Sequence, residues 1–279
     1  MTPESASFAA DQLRAIDRDR YFATLLLEPR AREAVTALYA FGSDIASIRD
    51  RAKEPAAGEI RLQWWRDALS GEGHGAVRAN PLADALLDVI AAYGLPVPAL
   101  IRMIEARRFD LYDDPMPDMP AFEGYAGETA SALYQLAAMI LNGGSPVDNG
   151  DAAGHLGVAH ALVGHLRAFG YNASKGRIVL PADIFATCGV GEADIRTGKA
   201  SENLSVALTR FADLATGHLD KADAAIAALP RQLRPVFAPV ALLRAQLKSL
   251  DLDAPFQQAG DLPDWQKIAS LTWWKLRNG

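Results

Sequence analysis

Apolar residues recur at three- and four-residue spacings along almost the whole chain, which is the pattern of amphipathic helices packed on a core. In residues 30–53 they fall at Val35, Leu38, Tyr39, Gly42, Ile45 and Ala46, and Pro55 stops the run. Similar patterns predict helices over 8–27, 59–69, 81–93, 98–112, 121–141, 203–229, 239–250 and 264–276. Pro81 stands where a first helical turn tolerates proline, and Gly94 stands where a helix closes. No segment alternates with period two between turn pairs, so strands are not expected. The Gly/Pro breaks are loop-sized and no fixed repeat is visible, which predicts a single all-α domain spanning 1–279.

Residues 157–181, GVAHALVGHLRAFGYNASKGRIVLP, read as a long helix, a polar loop and a return segment ended by proline. Ala159, Ala161, Gly164 and Ala168 are small, so another helix can approach closely. Arg167, Lys175 and Arg177 place positive charge at the helix end, which suits a C-terminus and would also suit a diphosphate. Ala168 and Asn172, four residues apart, share one face if the helix reaches that far.

Half the residues are hydrophobic and 22% are charged, an ordinary globular balance. The net charge of -6 argues against nucleic acid as a partner. Cys188 is the single cysteine, so no internal disulfide can form and a reducing compartment is expected. The first twenty residues carry acids and lack a basic-then-apolar signal pattern. No apolar run approaches the ~18 residues of a membrane span. A cytoplasmic protein is the expectation.

Asp110 and Asp114 form a D-x-x-x-D pattern before Pro115 and read as a solvated helix end. His155, His160 and His165 recur every five residues, rotating about 140° per step, so they do not converge as metal ligands. The last helix carries Trp265, Ile268, Leu271, Thr272 and Leu276 as one apolar face, flanked by Lys267, Lys275 and Arg277. Packing on the body or peripheral membrane contact both suit that pattern.

Three blocks, YAFGSDIASIRD (39–50), RLQWWRDAL (61–69) and the 157–181 stretch, occur in the order found in the squalene/phytoene synthase family, which the chain resembles. RDRYFATLLLEPRAREAVTALYAF and FEGYAGETASALYQLAA resemble further helices of that family. The resemblance implies an isoprenoid-synthase-like helical bundle with a central cavity. It also implies two aspartate motifs that hold magnesium and a prenyl diphosphate across that cavity. Here Ala46, Ala168 and Asn172 replace three motif aspartates, and only Asp50 survives. Val179 and Glu128 replace two family tyrosines.

By the same resemblance Arg167, Lys175 and Arg177 match diphosphate-contacting positions, and Tyr39, Trp64 and Trp65 are candidate cavity-lining residues. GETASALYQLAA and GHLGVAHALVGHLRAF are similar to the branch that includes a mitochondrial complex I assembly factor. That similarity implies a non-catalytic protein with no metal cofactor, bound to respiratory complex I subunits at the inner face of a membrane. Two other functions are compatible with the same residues: a magnesium-dependent prenyltransferase that condenses prenyl diphosphates, and a prenyl-lipid-binding protein.

Overall fold

Among the described residues, proline stands in the first turn of seven helices, where its missing N–H costs nothing. The computed structural model describes residues 1–73, 75–257 and 259–278. In chain order the helices are α1 (Pro3–Ile16), α2 (Arg18–Thr24), α3 (Pro29–Ala46), α4 (Ile48–Arg51), α5 (Pro55–Ser70), α6 (Pro81–Tyr93), α7 (Val97–Ala106) and α8 (Met119–Ala126). They continue as α9 (Ala132–Leu141), α10 (Gly150–Arg167), α11 (Phe169–Ser174), α12 (Ala182–Thr187), α13 (Glu192–Arg196), α14 (Glu202–Ala228), α15 (Pro239–Lys248) and α16 (Asp264–Asn278). No strand occurs among the described residues.

Three expected helices are interrupted by local hydrogen bonding. The 8–27 run splits at Asp17, whose backbone N–H bonds Leu13 O while its carboxylate accepts the Arg20 N–H that opens α2. The 30–53 run splits at Ser47, whose hydroxyl bonds the Asp44 carbonyl. Residues 121–141 contain a wide π turn at Gly127–Ser131 between α8 and α9. The apolar spacing runs on through these breaks, so periodicity alone could not locate them.

α10 is the central helix and packs along α14. Its close approach to the π turn is made at Gly157, not along the small residues further on. A Cβ on Gly157 would lie 2.1 Å from Ser131 Oγ and 2.5 Å from its backbone N, whereas one on Gly164 would meet nothing within 4 Å. Gly157→Ala therefore forces α10 off the π turn and is expected to cost about 2 kcal/mol, the usual scale of overpacking. A urea melt of the variant checks this; an unchanged midpoint would show that the contact is soft.

A pair of side-chain networks ties the bundle together. Asp44 accepts from Gln12, Arg51 and Trp65 Nε1 at 2.9, 2.8 and 2.9 Å, joining α1, α3 and α5. Lys267 on α16, only 1% exposed, pairs with Asp19 and Asp261, each at 2.7 Å. Gln246 on α15 donates to the same Asp19.

Candidate functional site

A cavity of about 150 Å³ opens where the α3–α4 junction, the segment after α7, α8 and the α10–α11 turn meet. The α3–α4 break brings Ala46, Arg49 and Asp50 to its wall; Asn172, Arg177 and Val179 face them from the other side. Thus the positions of both aspartate motifs do converge on one space, through Ala46, Asp50 and Asn172. Ala168 ends α10, and its carbonyl accepts the Asn172 N–H at 2.9 Å, but it is not part of the wall.

Charge in the cavity is largely self-compensated. Arg177 donates to Asp50 at 2.9 Å, and Tyr171 OH donates to the same oxygen at 3.4 Å. Arg49 pairs with Asp113 at 2.9 Å. Arg107 donates to Asp110 at 3.0 Å and to Tyr125 OH at 2.5 Å, while Tyr125 OH donates to the other Asp110 oxygen at 2.7 Å. Burial raises the Tyr125 pKa and keeps it a neutral phenol. His165 lines the same cavity, its ring edge on Phe122. Burial lowers its pKa to about 4, with Asp110 pulling it up and Arg107 pulling it down, so it is a neutral imidazole at pH 7.

The other candidates lie elsewhere. Arg167 faces away from the cavity and pairs with Asp261 at 2.9 Å and Asp19 at 3.7 Å. Lys175 is exposed over the Tyr171 ring. Tyr39 is buried at 2% exposure beneath Arg20. Trp65 packs on Phe41 and is committed to Asp44. Trp64 lines a shallow groove with Ile60, Gln63 and Arg108. None of Tyr39, Trp64 and Trp65 lines the cavity.

Asp110 corrects the sequence reading: it is a partly buried member of the cavity network, not a solvated helix end. The spacing rule for the three histidines gives the right separation: His155 meets His218, His160 meets Tyr134 OH, and His165 alone reaches the cavity. Arg49, Arg107, Tyr125 and His165 were missed as site residues. Arg49, Tyr125 and His165 each sat inside a family-like block, which was their one sequence signal, and Arg107 had none.

Residues 13–266 match the sequence profile of squalene/phytoene synthase. The chain belongs to the squalene/phytoene synthase family. It is 28% identical over 248 residues to NADH dehydrogenase (ubiquinone) complex I assembly factor 6 of Rattus norvegicus, covering 89% of this chain and 74% of that protein. It is 27% identical over 254 residues to presqualene diphosphate synthase of Sinorhizobium fredii, covering 90% and 89%. Its fold matches a dehydrosqualene synthase crystal structure with TM-score 0.83 at 20% identity, covering 98% of this chain and 96% of that one. Identity does not separate the assembly factor from the synthases; the cavity residues must.

Family synthase chemistry calls for magnesium, which prefers six oxygen ligands rich in carboxylate or phosphate. The residues present do not fit it. The motif positions supply one carboxylate, Asp50, already held by Arg177. Asp110 and Asp113 are held by Arg107 and Arg49, and Asp114, exposed at the cavity wall, is a single carboxylate without a second unpaired one beside it to share an ion. Among the described residues no group of three or more His, Cys, Asp or Glu could hold a metal ion.

Proposed function

We propose that this chain is a non-catalytic member of its family that acts by binding, as an assembly factor for respiratory complex I at the inner face of the membrane. One observation carries the reading. Ala46, Ala168 and Asn172 stand at the metal-motif positions, and the remaining Asp50 is neutralised by Arg177. A departing diphosphate needs cations to stabilise it, and of the four carboxylates in this cavity three are held by arginines, which leaves Asp114 alone to recruit them. The likeness to complex I assembly factors over most of the chain supplies the partner class. No described helix is long and apolar enough to cross a membrane, so contact with the inner face would be peripheral.

The prenyl-lipid reading has less support. Small-molecule sites run to roughly 300–1,000 Å³, and this cavity holds about 150 Å³.

The test is deletion of the gene in its host, with complementation. Complex I activity and assembled peripheral arm are expected to fall on deletion. Wild type and Asp50→Asn should restore them equally, because Asp50 is half exposed and the asparagine amide oxygen still accepts from Arg177. In parallel, a thermal melt with magnesium and a non-hydrolysable farnesyl diphosphate analogue should show no shift. A bound ligand at a hundredfold its Kd would add about 2.7 kcal/mol. Failure of Asp50→Asn together with a magnesium-dependent shift would return the prenyltransferase reading.

A further inference from the structure

A surface helix ordinarily turns its apolar stripe inward and its charges outward. α16 does the reverse along much of its length. It buries Lys267, Leu271 and Trp274, while Trp265, Trp273 and Leu276 are 71%, 64% and 75% exposed. The expected apolar face is therefore divided: Leu271 goes into the core, and Trp265, Ile268, Thr272 and Leu276 face out. At about 100° per residue, Ile268, Thr272, Trp265, Leu276, Ala269 and Trp273 span roughly 140° of the helix, with no charge inside that arc.

The helix is held in this orientation at several points. Lys267 pairs with Asp19 and Asp261. Lys275 Nζ donates to Leu26 O at 2.6 Å, and Arg234 donates to Asn278 O at 3.2 Å. The apolar face cannot roll inward without breaking these bonds.

Cations border the face. Lys275 and Arg277 lie on its two edges; Arg234 reaches the last turn; Arg32 bonds the carbonyls of Leu25 and Leu27, beside the carbonyl that Lys275 holds. The hydrogen bonds of Arg32, Arg234 and Lys275 go to backbone carbonyls, and none of the four is paired with a carboxylate among the described residues. At the other end of the helix Asp264 is neutralised by Arg18. In a chain of net charge -6, this is a local concentration of uncompensated positive charge. Beside it, Val240, Ala241, Trp273, Trp274 and Arg277 line a groove of about 300 Å³ between α15 and α16, whose acid, Asp223, is paired with Arg244.

We propose that α16 docks the protein, with the helix axis lying flat, on an anionic lipid bilayer surface. Tryptophan and leucine on one face with lysine and arginine at its borders is the composition that binds the headgroup–acyl boundary. Anionic headgroups complement the four cations. This docking deepens the proposed location at the inner face by naming the surface that makes the contact, and its vesicle test does not depend on the complex I role.

The experiment uses the full chain with phosphatidylcholine vesicles, with and without phosphatidylglycerol, at low and high salt. Wild type should co-sediment with the anionic vesicles only, lose binding in high salt and show a blue-shifted tryptophan emission on binding. The triple variant Trp265→Ser, Trp273→Ser, Leu276→Ser removes only exposed side chains, so its melt should match wild type. Its vesicle affinity should fall about tenfold or more. Arg277→Glu should weaken binding to anionic vesicles while keeping the fold. Absence of wild-type binding at low salt, or equal binding by the folded triple variant, would overturn the proposal. So would a wild-type dimer that the triple variant abolishes with no vesicle binding, which would assign the face to a second copy.

Discussion

Replacing Lys267 with methionine is expected to destabilise the protein by about 3 kcal/mol, the lower end of the cost of breaking a buried ion pair. The stem stays packed, but Asp19 and Asp261 lose a shared cation 2.7 Å from each. Asp261 is exposed and can rehydrate, and Arg167 still reaches both acids, so the cost stays near that lower limit. At about 2–4 °C per kcal/mol for a chain of this size, a melting temperature lower by roughly 6–12 °C would be seen in a thermal scan. Burial alone would lower the Lys267 pKa; Asp19 and Asp261 outweigh it and raise the value. This contribution is complete below the unfolded lysine value and is lost only as pH rises through the folded one. A K267M variant as stable as wild type would mean that Arg167 alone clamps α16.

The second large effect is acid lability that begins well above the carboxylate range. His165 falls to about 4 when folded, chiefly through burial. His160 is also lowered well below its ordinary value, again chiefly by burial, with Arg20 and Arg167 adding to it. A group with a depressed folded pKa binds its proton more readily when unfolded. Stability is therefore present above the unfolded value near 6.5 and is lost as pH falls toward the folded one. Between about pH 7 and pH 5 the His165 shift alone removes roughly 2 kcal/mol. Urea melts at the two pH values should show this loss, and His165→Asn should reduce it. A flat profile across that range, or an unchanged slope in the variant, would contradict the buried neutral imidazole.

The helical architecture was legible because its information is local. Apolar spacing, prolines at first turns and glycine stops all act within a few residues, and they placed most of the elements. The breaks at Asp17 and Ser47 were not legible, because one side chain bonded to nearby backbone overrides a pattern that itself continues. The depleted aspartate motifs were readable residue by residue, and Ala46, Asp50 and Asn172 do meet at one cavity. The separation of Arg167 from Arg177 was not readable. Both are cations near the end of one helix, and only the return of the chain at Asp261, 94 residues away, turns Arg167 aside. Likewise helical spacing placed Leu271 with Trp265 and Leu276, because nothing local states that Lys267 finds two acids, Asp19 and Asp261, and draws its own side of α16 inward.

The Arg107–Asp110–Tyr125 cluster has a consequence for how damage to this protein would be recognised. In an enzyme, a lesion in the central cavity shows as slow turnover of a normally abundant protein. Here the same space is filled by bonds that join the segment after α7 to α8. A lesion there loosens the bundle, and a loss of about 1–2 kcal/mol is enough to change the amount of protein in a cell several-fold. Damage at this cavity would be registered by quality control as scarcity of the folded chain.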